Sequence, residues 1–287
     1  MFFYILNSLN IKTLENEGTY MINIWTEKSI ELANQRNYLD LLYKVYPMSV
    51  NERRELTDTA EYEINKHFNE QNSEELVNVL LKQDLFPIKD SYVAYLRRDS
   101  SALKRNPKTV NRIAGILYEM GIESVISNAT EPKETNRQIG PLFKNWINRG
   151  SLGCKITDDY EVFFNSTDDI VYNSSDQKME EMARTYLGYQ HSKGLDFIGK
   201  FNNKIVLAEA KFLTDFGGHQ NAQFNDAINV LNAPLKESAY QVKTIAILDG
   251  VLYIPGRHKM HREITEDFSD DDVILSSLYL RDYLYSL

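Results

Sequence analysis

The chain of 287 residues has one cysteine, Cys154, which excludes an internal disulfide framework and any cysteine-based zinc ribbon. Thirteen glycines and seven prolines are too few for a collagen-like or low-complexity protein. No apolar run approaches the roughly 20 residues that a membrane helix requires, so a soluble, cytoplasmic protein is expected. The apolar patch Met1 to Leu6 breaks at once into Asn7, Ser8 and Asn10 and lacks a basic flank. It reads as neither signal peptide nor anchor, and Met21 is an alternative start. Also missing are a Walker loop, a dinucleotide fingerprint and a G-x-S-x-G elbow.

A surplus of positive charge is lacking too, the formal net charge being −9. Distribution matters more than the sum. Residues 1–96 carry 9 basic and 15 acidic side chains, and residues 150–287 carry 13 and 21. Residues 97–149 reverse the sign with 10 against 5, and Lys104 to Tyr118 contains no acid. A basic band within an acidic chain suits a focused anion-binding surface, and equally a solvated helix face against acidic neighbours.

With 43% hydrophobic and 11% aromatic residues, the chain has material for a sizeable core. The first half reads as helical: Thr26 to Ala33, Asn51 to His67, Ser73 to Leu81, a helix opened by Pro107 and closed by Gly121, and another from Gly140-Pro141 to Gly150. Strand-like segments follow at Tyr160 to Phe164, Leu195 to Phe201, Lys204 to Phe212, Gln241 to Leu248 and Val251 to Ile254. Helices are expected at Gln177 to Gly188 and Asn221 to Leu231. The order indicates an α/β (α+β) protein with a helical N-terminal addition, residues 1–150 preceding a core of 151–287 in one compact unit.

The densest chemistry lies in Gly194 to Phe212. Two apolar runs flank Asn202-Asn203, residues that tolerate the positive φ of a two-residue hairpin turn. Phe201 then faces Lys204, and stepping outward sets Asp196 opposite Glu209, with Lys211 on the face of Glu209. Opposed side chains have Cβ atoms about 4.5–5.5 Å apart, where like charges destabilise. Ile205 to Ala208 is continuously apolar, so the acids sit at the end of a buried strand. Two carboxylates converging there call for counterions. Lys211 supplies one, and a divalent cation with oxygen ligands supplies the other.

Asp196, followed on a second strand by Glu209-Ala210-Lys211, resembles the PD-(D/E)xK nuclease superfamily, and most closely the type II restriction endonucleases. Leu195 stands where the nominal motif has proline. The resemblance spans roughly residues 176–255 and implies a restriction-endonuclease-like core, a central mixed β-sheet flanked by helices. It further implies Mg²⁺ held by Asp196, Glu209 and the Ala210 carbonyl, with Lys211 as the catalytic amine. Some such nucleases add a glutamate from the preceding helix, which here would be Glu180 or Glu181, Glu180 being preferred because it borders the apolar face, although acids in a first helical turn also answer to the helix dipole. The implied activity is hydrolysis of double-stranded DNA to 5′-phosphate ends by a homodimer paired with a cognate methyltransferase. A repair or junction-resolving nuclease and a non-catalytic DNA-binding module are the alternatives.

Past the strand, Gly217-Gly218 leads into a helix bearing His219, Gln220, Asn221 and Gln223, suited to phosphates or base edges. Lys104, Arg105, Lys108, Arg112 and Lys144 read as phosphate contacts, and Asn136, Arg137 and Gln138 as base readers. Arg257 to Arg262, with His258 and His261, follows Pro255-Gly256 and reads as a solvated polar turn. Asp270 to Asp272 reads as the acidic start of a helix.

Overall fold

The computed structural model describes residues 22–48, 53–132 and 139–287. Six strands form one sheet in chain order: β1 (Lys155–Thr157), β2 (Ile170–Tyr172), β3 (Phe197–Phe201), β4 (Lys204–Leu213), β5 (Gln241–Gly250) and β6 (Ile274–Leu275). β2–β3 and β3–β4 pair antiparallel, while β1–β2, β4–β5 and β5–β6 pair parallel. The sheet is therefore mixed, and helix Gly218–Leu231 makes the crossover from β4 to β5.

Helices cover both faces. Val206, Ala208 and Ala210 of β4 pack in one buried cluster with Leu42, Phe143 and Ile147 from helices Tyr38–Val45 and Ile139–Asn148. Ile205 and Leu207 alternate to the other face, against Met179, Met182 and Ala183 of helix Asp176–Tyr186. A strand buried on both sides must be apolar throughout, which explains the unbroken run Ile205–Ala208. This α/β architecture is the expected restriction-endonuclease-like core.

The division of the chain differs from a boundary at residue 150. The described residues up to Met48, with Ile139–Leu287, make up one compact unit, and those within Ser49–Gln138 make up the other. The reason is burial: Leu32, Tyr38, Leu42, Val45 and Tyr46 lie in the same apolar cluster as the sheet. The second unit is helical, with Ile64, Leu76, Leu80, Val110, Ile113 and Leu117 at its centre. There Pro107 occupies the first turn of helix Pro107–Met120, and Gly121, at φ 82°, separates it from helix Ile122–Ala129.

Three local expectations are corrected. Tyr160 to Phe164 forms helix Tyr160–Asn165, because Asp159 accepts hydrogen bonds from the Glu161 and Val162 N–H groups and caps it. Val251–Tyr253 is a 3₁₀ turn rather than a strand, since Gly250 turns the chain at φ 102°. A Cβ on Gly250 would lie 1.9 Å from the Leu213 carbonyl oxygen, so only glycine fits. Asp270 to Asp272 starts no helix. Asp272 closes a turn by accepting from the Ser269 N–H at 2.9 Å, and Ile274-Leu275 continues as buried strand beside β5.

Among the described residues, no helix is long and apolar enough to cross a membrane.

Candidate active site

The β3–β4 hairpin sets the site. Asn202 and Asn203 adopt φ of 48° and 63°, the left-handed pair that a two-residue turn demands. Phe201 faces Lys204, and pairing continues to Phe197 opposite Ala208. One step further, the Asp196 N–H donates to the Ala208 carbonyl at 3.0 Å. Asp196 thus arrives beside Glu209, on the sheet face that carries helix Asp176–Tyr186.

Lys211 closes the cluster. Its ammonium lies 3.2 Å from Asp196 Oδ2, donates to Glu209 Oε1, and lies 3.2 Å from the Ala210 carbonyl oxygen. The Ala210 N–H donates to the same Asp196 oxygen at 3.0 Å. Oxygens from Asp196, Glu209 and Ala210 therefore converge on one positive charge.

Glu209 is buried, and its side chain is only 6% exposed. Burial, followed by the neighbouring Asp196 charge, pushes its pKa up to about 7 against the lowering pull of Lys211. Burial also works against the Lys211 ammonium, but Asp196 and Glu209 outweigh it and hold its pKa above the usual lysine value. The donor set of two carboxylates and a carbonyl is all hard oxygen, which fits magnesium better than zinc or copper.

Glu180 lies on helix Asp176–Tyr186 and reaches Arg184 at 3.4 Å. Tyr189, fully buried, feels both this acid and Glu209. Its phenol is held well above its ordinary pKa by burial and then by the charges of Glu209 and Glu180. No group of three or more His, Cys, Asp or Glu with metal-binding geometry occurs among the described residues. Sequence reasoning missed Tyr189 and also Lys193, which pairs with Asp226 at 2.6 Å while its charge acts on Glu209. Neither carries a local pattern that would have revealed it.

The loop after β4 is arranged unevenly. Gln220 is buried, with its Oε1 accepting from the Thr214 N–H at 3.1 Å, so this side chain braces the loop. Asn221 Nδ2 donates to the Phe216 carbonyl at 3.1 Å, while its Oδ1 is buried without a partner. His219 is exposed and touches Gln223 at 3.3 Å. A Cβ on Gly218 would meet nothing within 4 Å, so intramolecular packing does not require glycine there.

Three residues of the basic band are internally compensated. Arg105 pairs with Asp99 at 2.6 Å, Arg112 with Asp90 at 2.7 Å, and Lys144 with Asp176. Lys104 and Lys108 are exposed. Asn136, Arg137 and Gln138 lie outside the described residues.

His258 and His261 form no metal site. His258 Nδ1 accepts from the His261 N–H at 3.3 Å, and Nε2 lies 2.8 Å from the Ile254 carbonyl, so both ring nitrogens are engaged.

A mixed sheet flanked by helices, with an acid–acid–lysine cluster on its central hairpin, defines a nuclease-type architecture. Residues 23–287 match the family model described as Tsp45I type II restriction enzyme. The chain belongs to that family and is a type II site-specific deoxyribonuclease acting on DNA. Neither the curated proteins nor the solved structures contain a match. Enzymes of this type generally use divalent metal ions.

Proposed function

We propose that Asp196, Glu209 and the Ala210 carbonyl hold a magnesium ion, that Lys211 is the catalytic amine, and that the enzyme cuts both strands of a defined duplex sequence as a homodimer in the cytoplasm. One observation carries this reading: three candidate ligand oxygens converge on the Lys211 ammonium at the end of a buried hairpin. Glu180, whose charge acts on Tyr189 together with that of Glu209, is a candidate fourth ligand. A cognate methyltransferase would protect the host sequence.

A divalent cation bound there would supply positive charge to the reacting phosphate and lower its barrier to attack. The chain's own residues do the rest. Lys211, oriented by Asp196, donates to a non-bridging phosphate oxygen as negative charge builds. Glu209 remains ionised once its burial is offset by positive charge. The water oxygen bonds to phosphorus as the bond to the 3′ oxygen breaks; one proton of that water is made good on the 3′ oxygen through solvent and the other is released. The products are a 5′-phosphate and a 3′-hydroxyl.

His219, Asn221 and Gln223 are placed after the catalytic strand to meet DNA, whereas Gln220 supports their loop. Lys104 and Lys108 are free to meet phosphate. Arg105, Arg112 and Lys144 would exchange a carboxylate for a phosphate on binding. Asn136, Arg137 and Gln138 are proposed base readers.

Incubation of the purified protein with unmethylated plasmid DNA and magnesium, followed by sequencing of the ends, tests the reading. Discrete fragments with 5′-phosphates are expected, and none from Asp196→Asn. Failure of the wild type to cut, or cutting by the variant at the wild-type rate, overturns it.

A further inference from the structure

The segment Arg257–Arg262 reads from sequence as a detached polar turn, and the fold brings it to the catalytic strand. Phe216, five residues beyond Lys211, packs against His258 with ring centroids 4.2 Å apart and the planes tilted by 38°. Lys259 Nζ reaches Asn225 Oδ1 at 3.4 Å on helix Gly218–Leu231. Two contacts therefore fasten the basic segment to the loop and helix that follow β4.

His258 is committed to this bracing. With one ring nitrogen accepting from a backbone N–H and the other against a carbonyl, its ring is fixed as the cap of helix Lys259–Glu266. That orientation presents its face to Phe216. Phe216 remains 43% exposed, an apolar residue left open beside positive charge.

Part of the positive charge in the band at 97–149 is compensated. Arg105, Arg112 and Lys144 are each neutralised by a carboxylate. Lys259 is shared with Glu263 at 3.5 Å. Arg257 and Arg262 are exposed and pair with no carboxylate among the described residues. Asp215, the nearest acid along the loop, accepts from the Phe216 N–H at 2.7 Å. Arg149 and Arg281 of the same unit also lack a carboxylate partner among the described residues, so what sets Arg257 and Arg262 apart is that their segment is anchored on Phe216 through His258.

Reach decides what they can touch. Five residues of extended chain span at most about 18 Å, so Phe216 lies within that distance of Lys211. Phosphates recur about every 3.4 Å along a DNA strand. A duplex with its scissile phosphate at Lys211 and running toward Phe216 would reach it within roughly five nucleotides.

Resting on the DNA-cleaving reading above, we propose that Arg257 and Arg262 are phosphate contacts flanking the scissile position, with Phe216 as an apolar contact between them and the active site. Phosphate contacts position DNA without specifying sequence, so the test needs no knowledge of the recognition site. Binding of the full-length protein to a short fluorescein-labelled duplex of random sequence, without metal, is followed by anisotropy across a salt series. Removing one phosphate-binding charge lowers the salt slope of log K by about 0.9, so Arg257→Ala/Arg262→Ala should lower it by nearly two. Affinity at low salt should fall about tenfold or more. Arg257→Lys/Arg262→Lys keeps the charge and should retain most of the slope, and Phe216→Ala should weaken binding with the slope unchanged. An alanine double variant with wild-type affinity and slope overturns this inference alone, provided the wild type cuts plasmid. A wild type that neither binds nor cuts DNA overturns both readings.

Discussion

Lys211 Nζ lies 3.2 Å from Asp196 Oδ2 across fifteen residues of sequence, and the same carboxylate oxygen accepts the Ala210 N–H at 3.0 Å. The hairpin therefore locks the first acid against the backbone of the second strand and leaves the ammonium as the adjustable element. Strand register produces this geometry, and no long-range loop has to find it.

Truncation of that ammonium separates binding from chemistry. Lys211→Ala should retain DNA affinity within about threefold, while single-turnover cleavage falls about 10²–10³-fold, the usual loss for one transition-state donor. Anisotropy with labelled duplex measures the first quantity, and quench-flow with the same duplex measures the second. Cleavage by the variant at the wild-type rate would remove Lys211 from the mechanism.

Glu209 makes stability depend on pH. Its folded pKa of about 7 stands above the ordinary 4.5, because burial and then Asp196 disfavour its charge. For an acid shifted upward, the stabilising contribution is complete below 4.5 and is lost as pH rises through about 7. Metal-free wild type should therefore lose stability relative to Glu209→Gln between those limits, and urea titrations across the window measure the difference. If Glu209 is a magnesium ligand as proposed, added magnesium should flatten that dependence. A difference already flat in EDTA would contradict the account.

Asp249 anchors the N-terminal helices to the sheet. It is fully buried on β5 and accepts from Tyr46 Oη at 3.0 Å, Ser276 Oγ at 2.5 Å and the Ser277 N–H at 3.3 Å. Burial raises its pKa, and no cation pairs with it among the described residues. Asp249→Ala would strand these donors in a dry interior and should cost roughly 2–4 kcal/mol of unfolding free energy. Cleavage per folded molecule should be unchanged, because Asp249 touches no group of the site. Wild-type stability in the variant, measured by urea unfolding, would count against the network.

The hairpin was legible because its information is local. Asn202-Asn203 between apolar runs dictates the turn, and alternation then carries Asp196 and Glu209 to one face. Helix Ser73–Leu81 and the Pro107 start were readable for the same reason, through caps and periodicity. Tyr160–Asn165 escapes a sequence reading because a short run of aromatics suits either state, and the deciding cap at Asp159 is a single residue. β1, β2 and β6 have two or three residues each, too few for any period to show.

From its sequence alone, this protein was bound to form an antiparallel hairpin carrying two acids and a lysine, since turn chemistry and alternation act over neighbouring residues. Tertiary structure alone decided which distant groups join them. It packed helices Ile24–Ala33 and Tyr38–Val45 onto the sheet, brought Tyr189 under the influence of two carboxylates, and set His258 against Phe216. Such contacts arise from burial of apolar surface between remote segments, a non-directional force that leaves no short-range mark on the residues it unites.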